Sequence, residues 1–320
     1  MPNNMRNLGK TSIQITSIGL GVMQFSGNKS VFRFMFQEMD QSTMNQIIQA
    51  AWAGGINWFD TAEMYGRGRS EQGLAQALQA ADIPDNDIRI ATKWFPILRT
   101  AGNIPRTIVD RQRFLSPYTI DLYQIHQPYS FSSPEAEMNA MADLVDRGMI
   151  RSVGVSNFSA DRMRKAHAAL AKRGYPLASN QVQYHLMDRS IEKNGILEAA
   201  KELDITIIAW SPIASGLLSG KFHEDPDLIQ KTPLARRMMI KRKLEQSRPL
   251  IEALKVIGQA HEVSITQVAL NWLVNFHGET VVAIPGASKV EHAEGNAGAM
   301  DFNLSPDEMA CIDELSRQFI

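Results

Sequence analysis

Four side chains in this 320-residue sequence could share one piece of proton chemistry: Asp60, Tyr65, Lys93 and His126. A tyrosine hydroxyl, with an ordinary pKa of about 10, is a weak but usable proton donor to a developing alkoxide near neutral pH. A neighbouring cation lowers that pKa, and Lys93 is the available cation. Asp60 would keep the ammonium charged, since a buried lysine without a partner tends to lose its proton. His126 could donate a further hydrogen bond to the same oxygen and orient it. Taken singly, each has an ordinary structural account: a helix cap, a packed ring, a satisfied core histidine. Their shared placement outweighs that account. Asp60 ends Trp58-Phe59-Asp60, Lys93 ends Ile90-Ala91-Thr92-Lys93, His126 ends Tyr123-Gln124-Ile125-His126, and Tyr65 follows Asp60 by five residues.

The elements that must hold these residues follow from hydrophobic patterning. Short β-branched, apolar runs predict strands at Ser17–Gly21, Ile56–Asp60, Ile88–Lys93, Ile120–His126, Ser152–Val155, Ala178–Val182, Ile205–Trp210 and Val281–Pro285. Helical periodicity predicts helices at Thr43–Ala53, Glu71–Ala81, Pro134–Arg147, Ala160–Lys172 and Ile191–Leu203. Two more fall near Arg248–His261 and Thr266–Asn275, and a last one, Pro306–Arg317, follows the N-cap Ser305. Strands recurring about every 30 residues with helices between them indicate parallel βαβ units. Eight such units predict a closed (β/α)8 TIM barrel, whose active site lies at the C-terminal ends of the strands. Asn7–Lys10 and Ile13–Thr16 flank a turn, which predicts an N-terminal β-hairpin closing the barrel floor, and the chain ends in a C-terminal helix. No Pro-, Ser- or Gly-rich linker divides it, so residues 1–320 are expected to form a single domain.

Composition sets the outer bounds. The chain is 44% hydrophobic and 21% charged, with 33 Lys plus Arg against 34 Asp plus Glu and a net charge of -1. Such a balance gives no basic excess for nucleic-acid phosphates, so no nucleic-acid partner is expected. A single cysteine, Cys311, forms no internal disulfide and fits a reducing compartment. The N-terminus leads into no apolar signal core, and no run reaches the roughly 20 apolar residues of a membrane span. A cytoplasmic location without membrane association is the expectation. The seven histidines are scattered without ligand spacing, and the 16 methionines read as core filling, so no metal is expected.

The motifs resemble those of a known family, the aldo-keto reductases. Asp60-Thr61-Ala62-Glu63-Met64-Tyr65-Gly66 is similar to the family's Asp-Thr-Ala-x-x-Tyr-Gly signature. Asp121–His126 resembles the segment that delivers its histidine, and Gly154-Val155-Ser156-Asn157-Phe158 its Gly-x-Ser-Asn-Phe element. The resemblance runs from about residue 7 to residue 304. In Ser215–Phe222 it is nearer to the bacterial and potassium-channel β-subunit branches than to mammalian aldose reductases.

This resemblance implies an NADP(H)-dependent reduction of small aldehydes or ketones, with Tyr65 as general acid and Asp60, Lys93 and His126 tuning or orienting it. It also implies a cofactor spread over the rim, in keeping with the absence of a strand-to-helix Gly-x-Gly-x-x-Gly fingerprint. Gly21 and Met23 would lie beside the cofactor, Ser156, Asn157 and Gln181 would hold the carboxamide, and Trp210 would stack on the nicotinamide. Ser211, Pro212, Ile213, Ser215, Gly216, Leu217 and Lys221 would cover the pyrophosphate, and Gly286, Ser288, Lys289, His292 and Asn296 the adenosine end. Relatives often carry Arg or Lys where this chain has Ser288 and His292, and it keeps only Lys289 near that point; NADP(H) is the first expectation and NAD(H) stays open. Two other readings stay open beside reduction: a cofactor-binding regulatory module, and a sugar- or pyridoxal-type alcohol dehydrogenase running in reverse.

Two segments have divided readings. Val31–Phe36, with three phenylalanines on the first rim loop, is either a wall of the substrate pocket or a packing or subunit contact. The basic run Arg236, Arg237, Lys241, Arg242, Lys243 and Arg248 is either a solvated helix face or a local attractor for an anionic cofactor. Substrate identity and oligomeric state are not legible in the sequence.

Overall fold

The computed structural model describes residues 4–29, 38–232 and 234–320. The chain opens with a two-stranded hairpin, β1 (Met5–Asn7) and β2 (Gln14–Thr16), paired antiparallel with Arg6 opposite Ile15. Leu8 and Ile15 of this hairpin bury themselves among Trp58, Ala91, Leu122, Ala178, Ile208 and Val282, the inward-facing residues of the barrel. Gly9 turns the hairpin with φ +54°, and a Cβ there would lie 2.6 Å from the carbonyl oxygen of Ala178. The hairpin therefore closes the N-terminal end of the barrel, as predicted. Trp58 Nε1 donates a 2.8 Å bond to the Thr16 carbonyl, and the buried Arg6 guanidinium donates to Val281 O and, at 3.0 Å, to Asn275 Oδ1.

Eight parallel strands follow: β3 (Leu20–Gly21), β4 (Trp58–Asp60), β5 (Arg89–Trp94), β6 (Leu122–Ile125), β7 (Ser152–Ser156), β8 (Leu177–Gln183), β9 (Thr206–Trp210) and β10 (Val281–Ala283). Each pairs with its neighbour in chain order. Bridges Ile18–Ala283 and Gly21–Gly286, with Gly21 N–H 3.1 Å from Pro285 O, join the first strand to the last and close the barrel.

The helices are α1 (Gln41–Ala53), α2 (Arg69–Ala80), α3 (Ile104–Leu115), α4 (Pro134–Asp146), α5 (Ala160–Ala171), α6 (Ile196–Leu203), α7 (Lys221–Glu224), α8 (Leu234–Ala260), α9 (Ile265–Asn275), α10 (Val290–Gly298) and α11 (Pro306–Ser316). Side-chain caps start several of them. Asp40 accepts from Thr43 N at 2.7 Å, and Ser264 and Ser305 form capping boxes with Gln267 and Glu308. Most of the apolar core lies between the strands and this helical layer.

Four departures from the predicted elements have local causes. α3 was not predicted because its inward stripe, Ile104, Ile108, Arg111 and Leu115, includes an arginine that breaks the apolar period. α10 was not predicted because its buried positions, Ala293, Asn296 and Ala297, offer little hydrophobic contrast. The helix expected from Ile191 begins at Ile196, because Gly195 takes φ +81° and leaves Ser190–Glu192 as a separate 3₁₀ turn. α8 begins at Leu234 and continues through Pro249, so the helix expected from Arg248 is its second half. The aromatic segment 31–36 lies outside the described residues. No helix among the described residues is long and apolar enough to cross a membrane.

Candidate active site

Strand ends bring the four predicted proton-chemistry residues together. Asp60 ends β4, Lys93 lies next to the last residue of β5, and His126 follows β6 with its N–H held 3.0 Å from the Trp94 carbonyl. Asp60 and Lys93 are fully buried and paired, and Lys93 Nζ also donates to the Thr61 carbonyl at 2.8 Å. The second oxygen of Asp60 accepts from Gln181 Nε2 at 2.9 Å and from Gln124 Nε2 at 3.4 Å. Gln124 in turn accepts from Ser179 Oγ at 3.3 Å. Burial drives the lysine pKa down and Asp60 pulls it back up. A buried ion pair of this kind persists only where additional hydrogen bonds satisfy both ions, and the two glutamines and Thr61 provide them.

Tyr65 lies in the turn after β4, its N–H 3.0 Å from the Ala62 carbonyl. The Lys93 ammonium is 5.2 Å from the tyrosine ring centroid, and the His126 ring meets the tyrosine edge-on at 5.8 Å. The Tyr65 hydroxyl has no hydrogen-bond partner among the described residues. Burial, reinforced by Asp60, pushes its pKa well above 10. The net lowering expected from Lys93 is not met here: burial and Asp60 set the direction of the shift. Burial, and then Lys93, hold the His126 pKa well below 6.5, so the imidazole is neutral. Its Nδ1 is buried without a partner. A proton there would be an orphaned donor costing about 1–3 kcal/mol, which favours the Nε2–H tautomer.

The residues expected to hold a nicotinamide adjoin this cluster. Ser156 Oγ donates to the Gln181 carbonyl at 2.8 Å. Asn157, with φ +60°, donates to His126 O at 3.2 Å and Ser156 Oγ at 3.0 Å, and accepts from Trp210 Nε1 at 3.1 Å. The half-buried indole of Trp210 is thus fixed by Asn157. Beyond it, Ser211, Ala214, Ser215 and Gly216 all take φ between +49° and +87°. Left-handed backbone at a non-glycine residue costs about 1–3 kcal/mol and concentrates at functional loops. Pro212 and Leu217 are buried on this loop and Ile213 is half-buried.

The two ends of the sheet meet among the residues expected at the adenosine end. Gly21 bridges to Gly286, and Met23 begins the turn that follows β3. A Cβ on Gly286 would lie 2.1 Å from the Gln24 amide, whose Oε1 is buried without a partner. Asn296 Nδ2 approaches the Gly286 carbonyl at 3.4 Å, and Ser288 Oγ lies 3.3 Å from His292 Nδ1. Burial, and then Lys289 and Lys221, lower the His292 pKa.

Sequence reasoning did not assign Gln124, Gln24, or the charged group Glu63, Glu71, Arg99 and Arg111. Nothing local marks them: Gln124 and the charged residues acquire their partners from another βα unit, and the Gln24 Oε1 is buried without one. The basic run divides. Lys243 donates to the Met187 carbonyl at 2.7 Å, Arg237 to the Gln230 carbonyl, and Arg248 pairs with Glu245 at 2.9 Å. The side chains of Arg236 and Arg242 lie outside the described residues. No group of three or more His, Cys, Asp or Glu suited to a metal occurs among the described residues.

Comparison with known proteins shows the family. The model of the aldo/keto reductase family matches residues 17–317. The chain is 36% identical over 314 residues to an uncharacterized oxidoreductase of Mycobacterium tuberculosis, covering 96% of this chain and 91% of that protein. It is 30% identical over 322 residues to the chloroplastic pyridoxal reductase of Arabidopsis thaliana, covering 96% and 84%. The crystal structure of a glycerol dehydrogenase from Gluconobacter oxydans superposes with a TM-score of 0.83 at 25% identity, over 100% of this chain and 97% of that one. The chain belongs to the aldo/keto reductase family and is an NAD(P)H-dependent oxidoreductase built on the (β/α)8 barrel.

Proposed function

We propose that the protein, with residues 1–320 as one domain, reduces small aldehydes or ketones to alcohols using NADP(H), with Tyr65 as the proton donor. The observation that carries this reading is the convergence of Tyr65, His126 and the Lys93–Asp60 pair at adjacent strand ends, beside the Trp210–Asn157 unit. When bound, the nicotinamide supplies the hydride that the carbonyl carbon accepts. His126 Nε2–H orients the substrate oxygen, and Tyr65 gives it a proton as negative charge develops. A high tyrosine pKa keeps the proton in place until an alkoxide, a far stronger base, draws it off. Lys93, held by Asp60, stabilises the phenolate left behind.

The residues suit a nicotinamide dinucleotide. Trp210 presents a flat ring, and Ser156, Asn157 and Gln181 supply amide and hydroxyl groups around it. The left-handed positions 211, 214, 215 and 216 and the narrow Gly21–Gly286 contact fit a loop closing over pyrophosphate. Gln24 Oε1 is a buried acceptor in need of a donor. Lys221 and Lys289, whose charges both lower the His292 pKa, favour the 2′-phosphate of NADP(H) over NAD(H). Oxidation of an alcohol by the same groups in reverse is the second reading, supported by the likeness to a glycerol dehydrogenase. Steady-state consumption of NADPH with a simple aromatic aldehyde tests the proposal. Tight NADPH binding with no turnover across a broad panel of aldehydes, ketones and alcohols would replace it with a regulatory binding role.

A further inference from the structure

We propose that Glu63 is a positioning residue, clamping the loop that carries Tyr65 to the loop that carries Phe95 and Arg99. Through this clamp, Tyr65 and His126 keep one relative placement. The inference rests on the reading of Tyr65 as the acid and goes beyond it by naming what holds the acid in register.

Glu63 lies two residues before Tyr65, and its side chain is 13% exposed. Its backbone N–H donates to the carbonyl of Lys93 at 3.2 Å, fastening the loop to the end of β5. Its carboxylate reaches further along the same chain. Oε2 accepts the Phe95 N–H at 3.0 Å, while Oε1 meets Arg99 at 2.7 Å and Arg111 at 3.4 Å. Arg99 also donates to the Phe95 carbonyl at 3.2 Å, so one carboxylate and one guanidinium bracket Phe95. The Arg99 carbonyl accepts the Phe131 N–H at 2.8 Å, extending the connection to the loop after His126.

His126 is where these connections converge. Tyr65 approaches its ring edge-on at 5.8 Å from one loop, and Phe95 approaches edge-on at 6.3 Å from the next. Glu63 joins those two loops. Behind it, Arg111 pairs with Glu71 at 2.8 Å, and Glu71 accepts from Thr92 Oγ1 at 2.7 Å. Thr92 precedes Lys93, so the charged chain is anchored on β5 on both sides of that lysine. A carboxylate that only supported the fold would not need to bracket the neighbours of both reacting groups.

The test compares Glu63→Ala and Glu63→Gln with the wild type. Glutamine keeps the acceptor for the Phe95 N–H, whereas alanine loses it. For Glu63→Ala, kcat for aldehyde reduction should fall by about tenfold or more, because an ångström of misplacement costs on the order of 100-fold. KM and the Kd for NADPH should stay close to wild type while the melting temperature falls with the lost bonds to Phe95 N–H and Arg111. Glu63→Gln should recover most of the kcat loss, and the His126 ring NMR resonances should shift in Glu63→Ala alone. If Glu63→Ala does not fold, Arg99→Ala removes the outer half of the clamp from a side chain one-third exposed and should lower kcat in the same selective way. An unchanged kcat overturns the proposal, as does a loss that tracks NADPH affinity and is not recovered by glutamine. Tyr65→Phe separates the two levels: if it abolishes turnover while Glu63→Ala does not, only the clamp fails, and if it retains turnover, the underlying reading fails.

Discussion

Gln181 Nε2 donates a 2.9 Å hydrogen bond to Asp60 Oδ2, joining residues 121 positions apart. The family resemblance places Gln181 on the cofactor carboxamide and Asp60 behind the acid. In the structure these two residues meet at one carboxylate, which also holds Lys93 and accepts from Gln124. Asp60 is thus the common anchor of Lys93, Gln124 and Gln181.

That sharing predicts a pattern of stabilities. Lys93→Met leaves Asp60 as a buried carboxylate with only two amide donors, and should cost about 3–5 kcal/mol. Adding Asp60→Asn removes the stranded charge and should restore a large part of that stability without restoring turnover. Denaturant unfolding of both single variants and the double variant measures this. Strict additivity of the two losses would show that the residues do not act as a pair.

The pH dependence of stability should carry the mark of His185. Burial lowers its pKa to about 4, and its Nδ1 accepts the Met187 N–H at 3.1 Å, which a second ring proton would forbid. Because the folded-state pKa lies below the unfolded value of about 6.5, this stabilisation is complete above pH 6.5 and is lost as pH falls towards 4. The full swing is about 3 kcal/mol. Glu71, raised by burial to about 7, works oppositely, contributing below about pH 4.5 and losing that contribution as pH rises to 7. Comparing wild type with His185→Gln cancels the Glu71 effect. The difference in unfolding free energy should shrink as pH drops from 7.5 to 4, and a constant difference would contradict the assignment.

Cofactor choice should depend on Lys221 and Lys289. Lys289→Ala should weaken NADPH binding by about three- to tenfold, near 1 kcal/mol, and NADH binding far less. Equal losses for both cofactors, measured by fluorescence titration, would remove the 2′-phosphate from this end of the site.

Much of the barrel was legible because its strands are short β-branched runs at even spacing and its reactive residues end them. Asp60, Tyr65, Lys93 and His126 could be grouped from position alone. What escaped was set by tertiary pairing. Arg111 faces inward on α3 only because Glu71 and Glu63 await it, so its helix lacked an apolar period. Gln124 alternates within an otherwise hydrophobic strand, and nothing in Tyr123-Gln124-Ile125 announces that it will reach Asp60. The sense of the Tyr65 pKa shift was also beyond sequence reasoning, since it turns on how completely burial and Asp60 outweigh Lys93.

The most direct test of the account is turnover by Tyr65→Phe, with NADPH affinity measured on the same preparation. The substitution removes one hydroxyl that has no partner among the described residues, so the fold and the cofactor Kd should be preserved. Aldehyde reduction should fall by about 100-fold or more, the usual worth of a positioned general acid. Near-normal turnover with unchanged NADPH affinity would contradict the account.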